Sequence, residues 1–281
     1  MSEPISLAQA AVLGVVEGIT EFLPISSTGH LLVTSQLTGV ANTTGAFEIV
    51  IQAGAVLAVV LFYRRELLAR LRGFPGDWHA RRFWFTLLVA FLPAAVVGLL
   101  LNDFLDGLLA AQALQARVVA WALILGGVVL ALVDRRAHGE DPEADPEEAS
   151  GHVLGFRQAF WIGVAQCFSL IPGVSRSGAT IVGGLLVGLS RPAATEFSFF
   201  LSIPTLGAAT AYKLVKDYDK LVQVGSVGSL AVGTLVAFVT SLVAVGWLLR
   251  YVSRHDFRVF AVYRIVAGLA ILAWARTLLV P

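Results

Sequence analysis

Apolar residues run along this chain in long blocks, and the polar residues that interrupt them cluster at a few places. An α-helix needs roughly 20 apolar residues to cross the hydrocarbon of a bilayer, and runs of about 10–14 more often lie re-entrant or at the interface. On that ruler six segments predict full spans: 44 to 63, 83 to 101, 113 to 133, 193 to 212, 227 to 249 and 259 to 278. Four pieces fit less well. Residues 5 to 23 carry Glu17 and Glu21, 28 to 40 are short, and 156 to 171 and 177 to 189 are their counterparts. Pro24 breaks the first pair and Pro172-Gly173 the second. Proline removes a donor and clashes with the preceding turn, while glycine permits a tight reversal. Both pairs therefore read as helix–break–helix hairpins that enter the membrane without crossing it. Irregular backbone is tolerated at that depth only where it is buried in protein or faces water.

The pattern also repeats. A shift of 149 residues sets Gly14-Val15 on Gly163-Val164, Ser26 on Ser175, Thr28 on Ser177, Gly29 on Gly178 and Val33 on Val182. With small slips, Leu88-Val89-Ala90-Phe91 echoes Leu235-Val236-Ala237-Phe238, and Arg117-Val118 echoes Arg258-Val259. Apolar, glycine-rich helices resemble one another in any case, but the best of these matches fall on polar and glycine positions. One hairpin plus three spans per half is an odd count, so the second copy lies inverted, and inverted repeats build their sites from broken helices near the midplane. The expected fold is an all-α polytopic membrane protein of six full spans and two re-entrant hairpins. Residues 1–137 form the first repeat, 138–150 an acidic linker (HGEDPEADPEEAS) and 151–281 the second repeat. The linker's composition cannot bury a core.

Composition agrees with lipid as the main solvent. The chain is 57% hydrophobic and 14% charged, with mean hydropathy +0.80, against about 25% charged residues in soluble domains. A net charge of +1 gives no reason to expect nucleic acid. One cysteine, Cys167, rules out an internal disulfide and reads as an inert buried thiol. MSEPISLAQA has no basic region before its apolar run, so a cleaved signal peptide is not expected. Arginines cluster at 64–82, at Arg135-Arg136 and at Arg250, Arg254 and Arg258, three loops on one side under six spans. The positive-inside rule makes that side cytoplasmic and puts both termini outside, against the contrary signal of Lys213, Lys216 and Lys220.

The candidate chemistry lies in GVVEGITEFLPISSTGH, residues 14 to 30. Ionisable groups at membrane depth are expensive and are functional candidates by default. Glu17 and Glu21, at i and i+4, stack on one helix face. Such a pair binds a cation, shares a proton as a general acid/base, or faces water at the membrane surface. Ser26-Ser27-Thr28-Gly29-His30 reads as the cap and first turn of a new helix, whose free N–H groups and dipole favour an anion. Ser27 with His30 three residues on is the minimum for an activated nucleophile, and a structural histidine is the alternative. In the second half Ser175-Arg176-Ser177 puts arginine opposite Ser27, a planar fork suited to phosphate, with a salt bridge to a glutamate as the other reading. Glu48, Gln52, Glu196 and Ser198 sit inside spans and either line the cavity behind these residues or tie helices together.

EGITEFLPISSTGH at 17 to 30 and PGVSRSGAT at 172 to 180 resemble the two signature motifs of the bacterial undecaprenyl-diphosphatase family, membrane phosphatases of bacitracin resistance. FEIVIQAGAVLAVVLFYRREL at 47 to 67 and EFSFFLSIP at 196 to 204 extend the likeness over nearly the whole chain. The resemblance implies hydrolysis of a polyprenyl diphosphate to the monophosphate carrier lipid and inorganic phosphate, serving peptidoglycan synthesis. It implies catalytic Glu17, Glu21, Ser27, His30 and Arg176, and phosphate binding by Ser26, Ser27, Thr28, Ser175, Arg176 and Ser177. It further implies stimulation by Mg²⁺ or Ca²⁺, with Glu17 and Glu21 as the metal candidates, and a site in the bacterial inner membrane facing the periplasm. Bacitracin would compete for the substrate rather than bind the protein, and a homo-oligomer is compatible. The rival reading is a lipid-phosphate flippase or ion-coupled transporter using the same midplane site. A carrier needs anion ligands, but it needs no Ser-x-x-His pair. A non-catalytic lipid-binding scaffold would leave the buried glutamates without a role.

Overall fold

The computed structural model describes residues 5–40, 46–108, 112–136, 154–216 and 226–277; the acidic linker at 138–150 lies outside them. These residues form α-helices and one 3-10 turn, with no strand among them. In chain order the helices are α1 (Leu7–Thr20), α2 (Ser27–Leu37), α3 (Ala46–Phe62), α4 (Arg64–Gly73), α5 (Trp78–Leu108), α6 (Gln112–Arg136), α7 (Phe156–Cys167), α8 (Arg176–Leu186), α9 (Arg191–Lys216), α10 (Val227–Val252) and α11 (Arg258–Thr277).

The starts and stops follow local chemistry. Ser6 and Gln9 close a reciprocal capping box on α1, Ser6 Oγ accepting from the Gln9 N–H at 3.3 Å and Gln9 Oε1 from the Ser6 N–H at 2.9 Å. Ser226 caps α10 by accepting from the Ser229 N–H at 3.1 Å. Breaks fall where proline and glycine placed them, α1 giving way to turns before Pro24 and α7 to the 3-10 turn Phe168–Leu170 before Pro172-Gly173.

Four of the predicted spans are helices long and apolar enough to cross a membrane, over Trp78–Leu101, Leu114–Arg136, Val227–Val252 and Arg258–Ala275. The segment expected at 44–63 holds α3, 17 residues long, which qualifies only together with α4, bent from it by 70°. The segment expected at 193–212 lies in α9, 26 residues long but less apolar than those four. The basic stretch after α3, read as loop from its arginines, begins as helix. Arg70 is buried there, bonded to Glu66 Oε1 at 2.5 Å one turn earlier, with its guanidinium 4.0 Å from the Phe83 ring centroid. Aromatic packing paired with an i, i+4 carboxylate is what lets a charged segment lie against the core.

The packing crosses the two halves of the sequence. α1 lies along α10, α7 along α5, α3 against both α9 and α10, and α6 along α11. Glycines set how close the first two pairs come. A Cβ on Gly14 would stand 2.5 Å from the Gly233 carbonyl oxygen of α10, and one on Gly163 would strike the Ala90 carbonyl of α5. Where the hairpins meet the spans, Phe22, Phe83, Phe199, Phe200 and Phe257 fill the main core. Phe22 packs edge-on to Phe199, with ring centroids 5.3 Å apart.

Candidate functional site

Two serines mark the tips of the hairpins. Ser26 (φ 71°) and Ser175 (φ 76°) are the non-glycine residues with positive φ among the described residues, and each immediately precedes a helix, α2 and α8. That conformation costs a residue with a side chain about 1–3 kcal/mol, and such strain gathers at functional sites. Ser175 Oγ accepts from the Gly178 N–H at 3.1 Å and caps α8, whereas Ser26 makes no side-chain cap and its Oγ has no partner. The first turn of α2 thus keeps N–H groups for an anion.

The tips touch each other. Arg176 Nη2, from the second tip, donates to Glu21 Oε1 at 3.0 Å, and Ser27 Oγ, from the first, donates to Glu21 Oε2 at 2.6 Å. Ser177 Oγ donates to the Leu23 carbonyl at 2.9 Å. Arg176 Nη1 reaches the Ser198 carbonyl at 3.1 Å, Thr180 Oγ1 donates to Ser198 Oγ at 2.7 Å, and the guanidinium lies 5.5 Å from the Phe22 ring centroid. Arg176 and Glu21 are both buried, and Arg176 Nε makes no hydrogen bond. The salt bridge foreseen as the alternative role of Arg176 is therefore present, and it joins the residues expected to bind phosphate rather than replacing them. A cavity of about 220 Å³ opens here, lined by Glu21, Ser26, Ser27, Thr28, Ser175 and Arg176, with Gln52 and Thr205 across from them on α3 and α9.

Other expected residues take different places. His30 does not meet Ser27: its Nδ1 lies 2.7 Å from the Ser26 carbonyl and its Nε2 2.5 Å from the Tyr263 hydroxyl. The carbonyl can only accept, so Nδ1 carries a proton, and in the neutral imidazole Nε2 accepts from the tyrosine. Glu17 is buried behind Glu21, within the field of Glu21, Glu48 and Arg176, and its Oε1 has no partner. Ser198 supports Arg176, and Gln52 lines the cavity, whereas Glu196 lies against Tyr63 and Glu66, away from the tips. Among the described residues no group of three or more His, Cys, Asp or Glu is placed to hold a metal ion by itself.

Two participants escaped the sequence reading. Tyr263 holds His30, and Arg264 reaches the carbonyls of both tips. Both sit inside the apolar segment 259 to 278, where an arginine at membrane depth was itself a signal.

Sequence comparison gives the family. The family described as bacitracin resistance protein BacA matches residues 10–270. A Cereibacter sphaeroides protein named undecaprenyl-diphosphatase is 47% identical over 264 residues, 94% of this chain and 95% of the relative. One of Dechloromonas aromatica with the same name is 48% identical over 272 residues, 96% and 95% of the two chains. One of Rhodospirillum rubrum, named undecaprenyl-diphosphatase 2, is 49% identical over 273 residues, 96% of each. With its several apolar helices and a match that includes both tips, the chain is a multi-pass membrane protein that belongs to the bacitracin resistance protein BacA family.

Proposed function

We propose that this protein is a membrane phosphatase that hydrolyses undecaprenyl diphosphate to undecaprenyl phosphate and inorganic phosphate, recycling the carrier lipid for peptidoglycan synthesis and so conferring bacitracin resistance. The observation that carries the reading is Glu21, which takes Ser27 on one carboxylate oxygen and Arg176 on the other. A hydroxyl, its base and a phosphate-binding cation are thereby gathered beside the free N–H groups of α2.

Ser27 Oγ attacks the terminal phosphorus in line and passes its proton to Glu21 Oε2. The bridging P–O bond breaks, undecaprenyl phosphate leaves, and water hydrolyses the phosphoserine. Arg176 and the N–H groups of Thr28 and its neighbours stabilise the charge on the equatorial oxygens. Glu21 is the base in this scheme, in preference to His30, because the hydroxyl already points at it. His30 holds the strained Ser26 carbonyl. A divalent cation, Mg²⁺ or Ca²⁺, fits as a neutraliser of diphosphate charge. Glu17, with its unpartnered oxygen, and Glu21 would hold it together with oxygens of the substrate, since such ions take one or two carboxylates plus phosphate.

The same reading places six spans and two re-entrant hairpins in an inverted repeat, in the bacterial inner membrane with the site toward the periplasm. Crosswise packing supports the repeat. The shifts that carry Gly14 to Gly163 and Ala90 to Ala237 turn the α7–α5 contact into the α1–α10 contact, and Ser26 and Ser175 share one unusual backbone conformation. Purified protein in detergent should release phosphate from undecaprenyl diphosphate, and Arg176→Ala should not. Absence of release by the unaltered protein, with and without Mg²⁺, would end the proposal.

A further inference from the structure

Arg264 of α11 is 1% exposed and takes no part in the bond-making just described. Its donors all go to backbone carbonyls: Nη1 to Pro24 at 3.0 Å, Nη2 to Gly173 at 3.2 Å, Val174 at 2.9 Å and Ala122 at 3.2 Å, and Nε to Leu123 at 3.4 Å. Pro24 belongs to the first tip, Gly173 and Val174 to the second, and Ala122 and Leu123 to α6 between them. The other buried arginines among the described residues, Arg70 and Arg176, each meet a carboxylate. A buried guanidinium with no counter-ion is costly, and here carbonyl dipoles are what offset it.

The neighbourhood makes room for this group. A Cβ on Gly126 of α6 would strike Nη2 and stand 2.9 Å from Cζ, and one on Gly178 would lie 3.0 Å from Nη1. The carbonyls that Arg264 holds come two residues before Ser26 and one before Ser175, the two strained serines. Peptides here are trans, so the N–H of each unit points opposite its C=O; fixing the Val174 carbonyl on the guanidinium turns the Ser175 N–H away from it.

We propose that Arg264 is the positioning residue of the site: one guanidinium clamps both hairpin tips in register and holds Ser26 and Ser175 in their positive-φ conformations, so that Ser27 and Arg176 face a single diphosphate. The catalytic part of this inference rests on the phosphatase reading; the clamp itself does not. It adds a further link, beside Arg176–Glu21 and Ser177–Leu23, between two segments some 150 residues apart in sequence. Lysine, with three donors and no planar fork, can hold part of the carbonyl set, and glutamine less.

The test uses full-length protein in detergent, comparing Arg264→Gln, Arg264→Lys and Gly126→Ala with a control, Asp134→Asn, which breaks a buried ion pair with Arg191 away from the tips. Amide hydrogen exchange is read over residues 24–30 and 173–178. Arg264→Gln should speed exchange at both tips together by about tenfold or more, Arg264→Lys by less, and Gly126→Ala should reproduce the glutamine pattern by displacing an intact arginine. With undecaprenyl diphosphate, kcat should fall about tenfold to a hundredfold in Arg264→Gln and recover in part in Arg264→Lys, as expected when reacting groups are misplaced. Should Arg264→Gln not fold, the lysine and Gly126 variants carry the same comparison. Faster exchange at one tip only, at neither, or equally in Asp134→Asn overturns the clamp. A protein whose tips behave as described but which releases no phosphate leaves the clamp standing and removes the phosphatase reading instead.

Discussion

Arg176→Met is the most informative single change at the Glu21 junction. It removes the 3.0 Å contact to Glu21, the 3.1 Å contact to the Ser198 carbonyl and the approach of the guanidinium to the Phe22 ring, while keeping an unbranched apolar stem. At 3.0 Å the gross attraction between the two charges is about 5–6 kcal/mol for an effective dielectric constant of about 20, most of it offset by desolvation of both groups. Deleting one partner forfeits the attraction and keeps the burial of the other, so Glu21 stands uncompensated and the expected loss is about 3–5 kcal/mol. Turnover should also fall, by about a hundredfold to a thousandfold, because in the proposed reaction the same fork stabilises the transferred phosphoryl group. Combining Arg176→Met with Glu21→Gln removes the stranded charge, so the double variant should be about 2–3 kcal/mol more stable than the sum of the singles predicts. Six tryptophans allow unfolding by denaturing detergent to be followed by fluorescence. Single changes that add to within about 0.5 kcal/mol would show that the two groups do not depend on each other, and the account of the junction given above would fail.

Further outcomes follow from other parts of the structure. Ser27→Ala should cut phosphate release by about a thousandfold or more, and brief incubation of unaltered protein with labelled substrate should leave a phosphoserine at that position; near-normal turnover in the alanine variant excludes the covalent route. Ser26→Gly relieves a positive φ at a side chain that caps nothing, so it should stabilise the fold by about 1 kcal/mol; Ser175→Gly, which also loses a cap, should gain less. Gly18→Ala drives a Cβ into Thr240 Oγ1 and to 2.5 Å from the Ala237 carbonyl, and should destabilise by about 1–3 kcal/mol in the same unfolding assay. Asp134→Asn weakens a carboxylate that holds Arg191 Nε at 2.6 Å and the Phe257 N–H at 3.1 Å; it should lower stability by about 3 kcal/mol while the folded fraction keeps its turnover.

Much of the fold was legible because lipid-facing sequence is blunt: long apolar runs predicted four of the crossing helices, and Pro24 and Pro172-Gly173 located both breaks. Polar residues concentrated at 17–30 and 175–177 led to the site for the same reason. What the residues did not disclose was who pairs with whom. Ser27 and His30 look like partners by spacing, yet the positive φ at Ser26 leaves its carbonyl on the imidazole and the Ser27 hydroxyl on Glu21. Serine at that φ is uncommon, and only glycine would have advertised the conformation. Arg64 to Gly73 read as loop because its arginines dominate the composition, and the aromatic surface that receives Arg70 comes from α5 and α9, out of reach of any local pattern.

The glycine seams between α1 and α10 and between α7 and α5 bear on how a long-tailed lipid gets in and out. Each seam ties a hairpin from one half to a helix from the other, at separations where backbone meets backbone. Prying the halves apart would have to open both zippers at once and drag the tips with them. On the phosphatase reading, a greasy chain arriving from the side, between helices and in the plane of the bilayer, would leave both seams closed, and the headgroup alone would travel inward to the serines.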